Sequence, residues 1–433
     1  MVLGLDGLGL GLLEKLTAKG GMPRMAALLE PSHHSRMRSV LPTVSSVAWA
    51  SYATGVNPAA HNVFGFIDRN PDPFELFIPN GSQLKHETIW EALSRVGKRV
   101  AVLNVPMSYP PRAVNGVMVG CFLSPSLEKA VHPKEMLPFL QSRNYRLDAD
   151  SWKAREDLGG FIQDLGDIMD ARFRVALELL DTETWDLLQL HVMETDRINH
   201  FLLSRWEEAC EPWAEKFLGF YARLDHWIER LLERLQREVE AGELSIMILS
   251  DHGFCRVKAE VYVNRWLEDN GYLHFDDGVD RKPNQFLSRS RAYSLIPGRV
   301  FINLRGREER GSVLPGREYE ALREELIQGF LELKDPLTGQ AIIRKVHRRE
   351  DLYSGPFLER AADLILEPHD GFDLKGNTDK TSLTGIGDIS GMHTLEDAFL
   401  MLWPEQLPER RWEIQDAGQV ISSLLGLQWG ANP

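Results

Sequence analysis

The sequence predicts an α/β fold, a mostly parallel sheet sandwiched by helices, with an inserted smaller cap subdomain. Three observations predict it. Short apolar runs alternate with stretches of helical periodicity, the runs are apolar throughout, and the rhythm breaks once, after residue 256. Strands buried on both faces read as continuous apolar runs, as in a parallel sheet covered by helices.

Val2 to Leu5 is the first expected strand, ending at Asp6 and a glycine-rich turn, and Arg38 to Leu41 reads as a second. Val47 to Ala53 suits a packed helix, and Ile89, Trp90, Leu93 and Val96 give His86 to Val96 helical spacing. Val100 to Val105 follows as a strand. The pair then repeats: helix Phe161 to Leu180 before strand Trp185 to Val192, and helix Glu211 to Val239 before strand Leu244 to Leu249. Residues 257–355 mix short strands, such as Arg299 to Leu304, with one helix, Glu318 to Leu333, and are rich in charge and turns. They are expected to form the cap, with 1–256 and 356–433 as the core. Ala362 to Leu366 returns to a buried-strand pattern, Asp370 to Ser390 reads as a surface loop, Ala398 to Trp403 as the last strand and Ile414 to Leu425 as the closing helix.

The 433 residues are 43% hydrophobic, ample for a large core. Net charge is −14, which counts against a nucleic-acid polymer or an anionic membrane as partner. A small phosphorylated substrate stays compatible, since bound metal charge outweighs the global field locally. No apolar run reaches membrane-spanning length. Cys121, Cys210 and Cys255 are odd in number and far apart, which points to reduced thiols and a cytoplasmic location.

In open α/β sheets, ligands gather at the carboxyl ends of strands. Asp6 follows the first expected strand. Thr43-Val44-Ser45 follows the second, Asp196 and His200 follow the strand ending near Val192, and Asp251-His252 follow the one ending at Leu249. His393 stands just before the last strand. Imidazole with carboxylate suits zinc, with manganese the alternative. Asp196 and His200, four apart, share one helical face. This many groups exceeds the needs of one tetrahedral ion and fits two divalent cations about 4 Å apart. Ser45, near a helix start, would gain activation from the metal and from free backbone N–H groups.

Plainer readings compete. Ser45 suits an N-cap, and Asp6 a turn residue. The Gly7-Gly9-Gly11 run fails as a dinucleotide fingerprint, because Leu12 stands where the third glycine belongs. His61 is left out of the metal set, and His191 with the remaining histidines is given no site role. Arg344 to Arg349 (RKVHRR) reads as solvated cap surface, and the Trp/Leu stripe of 213–235 as helix core.

Six stretches in order resemble the type I phosphodiesterase/nucleotide pyrophosphatase branch of the alkaline phosphatase superfamily, within it the bacterial and archaeal predicted phosphohydrolases or phosphomutases. They are Gly4-Leu5-Asp6-Gly7, Pro42 to Gly55, Asn57 to Asn62, Asp196 to His200, Ser250 to Phe254 and Gly391 to His393. The resemblance implies an alkaline phosphatase-like fold and Ser45 as nucleophile, forming a phosphoserine intermediate. It implies one metal on Asp6, Ser45, Asp251 and His252, and a second on Asp196, His200 and His393. One departure counts against nucleotide substrates: relatives carry asparagine where Phe66 stands here, with Asn62 the nearby substitute. Sulfatases are excluded by the residues after Ser45. A phosphomutase sharing this metal core is the alternative enzyme, and a binding module on a retired scaffold is the alternative outside catalysis.

Overall fold

The computed structural model describes residues 1–29, 33–276, 281–282 and 284–429. The chain divides into two compact units, one of 1–56, 80–255 and 388–433, the other of 57–79 and 256–387. The second unit therefore takes in more than the 257–355 insertion expected from sequence.

The larger unit is built on a nine-stranded sheet. Its order is Trp412–Glu413, His34–Arg38, Ala398–Trp403, Ile246–Leu249, Val2–Leu5, Leu187–Val192, Val100–Leu103, Gly116–Val119, Val131–His132. The strands from Ile246–Leu249 through Gly116–Val119 are parallel, and Ala398–Trp403 is antiparallel beside them. Side chains alternate between faces along a strand. Leu3, Leu5, Leu103, Leu188, Leu190 and Ile248 face one core. Val2, Val100, Val102, Leu187, Met247 and Leu249 face the other. The first core is closed by helices Leu10–Ala18, Leu158–Thr182 and Trp213–Glu240, the second by Ser45–Thr54, Ile89–Arg95 and Ile414–Leu424. In Trp213–Glu240, Phe217, Tyr221, Leu224, Ile228, Leu231 and Leu235 form the buried stripe that the spacing predicts.

The second expected strand is displaced. The paired segment is His34–Arg38, polar and only partly buried, and the apolar Val40-Leu41 lies outside it. Pro42, which lacks an amide proton, follows immediately and bars a longer ladder.

The smaller unit holds an antiparallel four-stranded sheet, Ala292–Leu295, Arg299–Ile302, Leu364–Pro368 and Ile343–Arg348. The strand of 362–366 is buried as expected, but in this sheet. The loop expected at 370–390 contributes strands Phe372–Lys375 and Thr384–Gly385, which pair with Ala259–Tyr262. The basic run is solvated only in part: Arg344 and Lys345 are exposed, but His347 and Arg349 are buried. Glu367 meets His347 at 2.7 Å, and Glu359 meets Arg349 at 2.6 Å. His347 and Glu367 are brought together by strand pairing, which is invisible to a one-dimensional pattern. No helix among the described residues is long and apolar enough to cross a membrane.

Gly4, in the central strand, sits under the ring of Trp49. A Cβ there would lie 2.6 Å from Trp49 Cη2 and 3.3 Å from His191 Cδ2. Gly4→Ala should therefore destabilise the protein by about 1–3 kcal/mol, the usual scale of overpacking. A urea midpoint unchanged from wild type would show that the tryptophan moves freely aside.

Candidate metal centre

The parallel register fixes where the site forms. Leu5 pairs with Val192, and Gly4 with Leu249, so the strands end level and their next residues emerge at one edge. Asp6, Glu194 to Asp196 and Ser250 to His252 stand there. His393 lies in a short strand, Gly391–Thr394, paired with Gly253–Arg256. The seven residues singled out from sequence thus meet in the larger unit, five of them buried and His200 and His393 each about one-fifth exposed at the side chain.

Two overlapping groups result. Asp6, Asp251 and His252 form one, and Asp196, His252 and His393 the other, each with ligand atoms within 4.8 Å of one another. His200 adjoins the second, its Nε2 lying 3.3 Å from Asp196 Oδ1 and 3.2 Å from His393 Nε2. His252 belongs to both groups, so the division implied by the resemblance is less clean than one set per ion.

The tautomers reveal what the cluster can hold. His200 Nδ1 lies 2.8 Å from Gly391 O, His393 Nδ1 3.1 Å from Thr43 O, and His252 Nδ1 3.1 Å from Gly253 O. A carbonyl oxygen only accepts, so each Nδ1 carries the proton in the neutral ring. Each Nε2 then turns a lone pair inward, toward carboxylates and toward another Nε2. Lone pairs facing lone pairs 3.2 Å apart repel unless a proton or a cation lies between them. Asp251 adds to the case. Gly7 N–H donates to its Oδ1 at 3.1 Å, while Oδ2 is buried, lies 3.3 Å from the unprotonated His252 Nε2 and accepts no hydrogen bond among the described residues. The donor set therefore fits divalent cations.

Without a cation, a proton on imidazole supplies the missing charge: burial opposes it, but the hydrogen bond and charge of Asp196 raise the His393 pKa. Burial, then the charge of Asp6, holds the Asp251 carboxyl well above its ordinary value. Burial alone would raise Asp196 too, but His200 and His393 outweigh it and hold that carboxyl well below. Burial and the neighbouring His393 push His252 down to about 3. Its ring stacks on His393 with centroids 3.7 Å apart.

Ser45 is not the N-cap of its helix. Val44 takes that place in extended conformation, and Ser45 is the first helical residue. Its hydroxyl donates to Asp6 Oδ1 at 3.0 Å and lies 3.3 Å from His252 Nε2. The N–H groups of Ser45 and Ser46 have no acceptor among the described residues, so the positive end of the helix opens beside the hydroxyl.

A family model described as type I phosphodiesterase/nucleotide pyrophosphatase matches residues 1–395. The chain belongs to that family. It is a phosphoester hydrolase by class. No curated protein matches it. Among solved structures, phosphonoacetate hydrolase from Sinorhizobium meliloti 1021, in complex with phosphonoformate, aligns at TM-score 0.66 and 16% identity, over 98% of this chain and 95% of that one. Human ectonucleotide pyrophosphatase/phosphodiesterase 5 aligns at 0.59 and 14%, over 100% and 95%. An inactive variant of the murine protein in complex with AMP aligns at 0.60 and 13%, over 99% and 95%. At these identities the likeness carries the fold, an alkaline phosphatase-like α/β architecture.

Several residues around this cluster escaped the sequence reading. His191 was given no site role, yet its Nε2 lies 2.9 Å from Asp6 Oδ2. Burial lowers its pKa, so the neutral ring donates from Nε2, leaving Nδ1 without a partner. Trp49 Nε1 donates to the same oxygen at 2.8 Å, and Thr195 Oγ1 to the Asp6 carbonyl at 2.6 Å. Gln189 and His191, on one face of an otherwise apolar strand, were the available signal. Arg197 Nη1 lies 3.5 Å from Asp196 Oδ2, its guanidinium held by Asp148 at 2.6 Å and resting over Phe122. His61 and Asn62 belong to the smaller unit. Val63 N–H donates to His61 Nδ1 at 3.2 Å, and Asn62 closes the Pro58–His61 turn with φ 71°. A left-handed backbone favours asparagine locally, whatever else its side chain does.

A folded pKa lowered to about 3 means that unfolded protein, whose histidine titrates near 6.5, binds the proton first. The His252 contribution to stability is then intact above about pH 6.5 and is lost as pH falls toward 3. In metal-free protein, the His252 ring signals in an NMR titration should stay those of the neutral form well below pH 5. A normal midpoint near pH 6.5 would contradict the assigned environment.

Proposed function

We propose that the chain hydrolyses small phosphate esters with two divalent cations, through a phosphoserine formed on Ser45. The observation that carries this reading is the set of inward-turned Nε2 lone pairs beside buried carboxylates, with one hydroxyl at its edge. Asp6, Asp251, His252 and Ser45 would hold one cation, and Asp196, His200 and His393 the other, with His252 close to both. When bound, the cations supply charge that shields the entering and leaving oxygens and acidifies the serine hydroxyl. Zinc suits the even mixture of imidazole and carboxylate, and manganese is the alternative.

The remaining work falls to the protein. Asp6 accepts the Ser45 proton contact on Oδ1, while Trp49 and His191 pin Oδ2, so the hydroxyl is held in one direction. In-line attack by Oγ on phosphorus forms the Ser–O–P bond as the bond to the leaving oxygen breaks. The free N–H groups of Ser45 and Ser46 are placed to bind a phosphoryl oxygen, whose charge grows during that step. Arg197 adds positive charge at the Asp196 side. Water then attacks the phosphorus of the phosphoserine, the Ser–O–P bond breaks, a proton returns to Oγ, and the product leaves as phosphate from a monoester or as a monoester from a diester. The neighbours' ligands, phosphonoformate and AMP, support a compact anion as substrate.

Ser45→Ala should lower turnover by at least about 10³-fold, the scale on which removal of a nucleophile acts, with the fold and metal content retained. Activity unchanged in that variant would remove Ser45 from the mechanism. Chelation should abolish hydrolysis of p-nitrophenyl phosphate and its bis ester, and zinc or manganese should restore it. Full activity in verified metal-free protein would sink the two-cation reading. Acid quenching during turnover should trap phosphate on Ser45, visible by peptide mass spectrometry. Stoichiometric phosphate release distinguishes hydrolysis from the phosphomutase alternative, which would retain the group on a product.

A further inference from the structure

The smaller unit has a cavity of its own, of about 410 Å³, and arginine dominates its lining. Arg69, Arg305, Arg307 and Arg360 contribute to the wall, against one carboxylate, Glu359. The pairing of these charges is uneven. Arg69 is buried and pairs with Glu308 at 2.6 Å, its guanidinium 3.8 Å above the Phe301 ring. Arg307 pairs with Asp363 at 2.6 Å. Glu359 is already engaged by Arg349 at 2.6 Å. Arg305 and Arg360 are exposed, and neither side chain has an ion-pair or hydrogen-bond partner among the described residues. Two guanidiniums are thus left over in the cavity lining, in a chain whose net charge is −14.

Glu308, Asp363 and Glu359 are each committed to another arginine, which leaves Arg305 and Arg360 as surplus positive charge. An anion neutralises it, and the planar guanidinium matches the paired oxygens of a phosphate. Pro71 and Leu304 add an apolar stretch to the lining. The volume lies within the range of small-molecule sites. We propose that this cavity binds a small phosphate monoester dianion carrying a short apolar or ring substituent. None of its residues belongs to the metal cluster, and the proposal stands or falls independently of the hydrolytic reading.

The test uses full-length protein stripped of metal, so that the cluster around Ser45 contributes little. Phenyl phosphate and inorganic phosphate are titrated by calorimetry into wild type, Arg305→Gln/Arg360→Gln and Ser45→Ala. Saturable binding is expected in wild type, tighter for phenyl phosphate and weaker at higher salt. The arginine double variant should bind at least about tenfold more weakly, the scale of one charge-assisted hydrogen bond lost. Ser45→Ala should bind as wild type does. Both altered arginines are exposed, so an unchanged thermal melt is expected, and each single variant, Arg305→Gln or Arg360→Gln, provides the same comparison should the pair misfold. No saturable binding at millimolar phenyl phosphate overturns the proposal. So does equal affinity in the arginine variants, or loss of binding in Ser45→Ala alone.

Discussion

Three carboxylates, from Asp6, Asp196 and Asp251, are buried at one edge of one sheet. Only Asp196 has an arginine at hand, and that at 3.5 Å. Burying carboxylates away from water is costly unless opposite charge meets them. Most of the surrounding structure is organised around that constraint. The histidines turn their unprotonated nitrogens inward, Gly7 spends its amide on Asp251, and Trp49 with His191 fixes Asp6. A divalent cation pair is the simplest means of satisfying such a set, and the same charge would make Ser45 chemically useful.

The fold serves the cluster through register. Parallel strands ending level at Leu5, Val192 and Leu249 deliver side chains from three distant parts of the chain to within hydrogen-bonding distance. The antiparallel Ala398–Trp403 strand starts at the same edge, because its direction is reversed. That reversal brings the preceding Gly391–Thr394 segment, and with it His393, to the cluster. Close packing beneath has its own demands. Gly4 leaves room for the Trp49 ring, which would otherwise be displaced from Asp6.

The smaller unit follows another electrostatic logic. Its buried and half-buried arginines are paired within the unit, Arg69 with Glu308, Arg307 with Asp363 and Arg299 with Asp68. Such pairs hold strands and loops together without leaving charge over. The cavity bordered by Arg305 and Arg360 departs from that pattern, which is why it stands out within an acidic chain.

The sequence by itself determined the strand–helix alternation, the apolar strands and the edge at which Asp6, Asp196, Asp251 and His252 gather. Periodicity and strand ends are local properties, and carboxylates next to histidines survive as short motifs. Tertiary structure alone decided the rest. His191 looked like any residue of a buried strand until Asp6 lay beside it. Ser45 looked like a helix cap until Val44 took that place. His347 and Arg349, within the basic run, looked solvated until Glu367 and Glu359 met them, and the second unit drew in 57–79 from far earlier in the chain. In each case the deciding partner is distant in sequence, and electrostatic pairing depends on separation in space, which no one-dimensional pattern encodes.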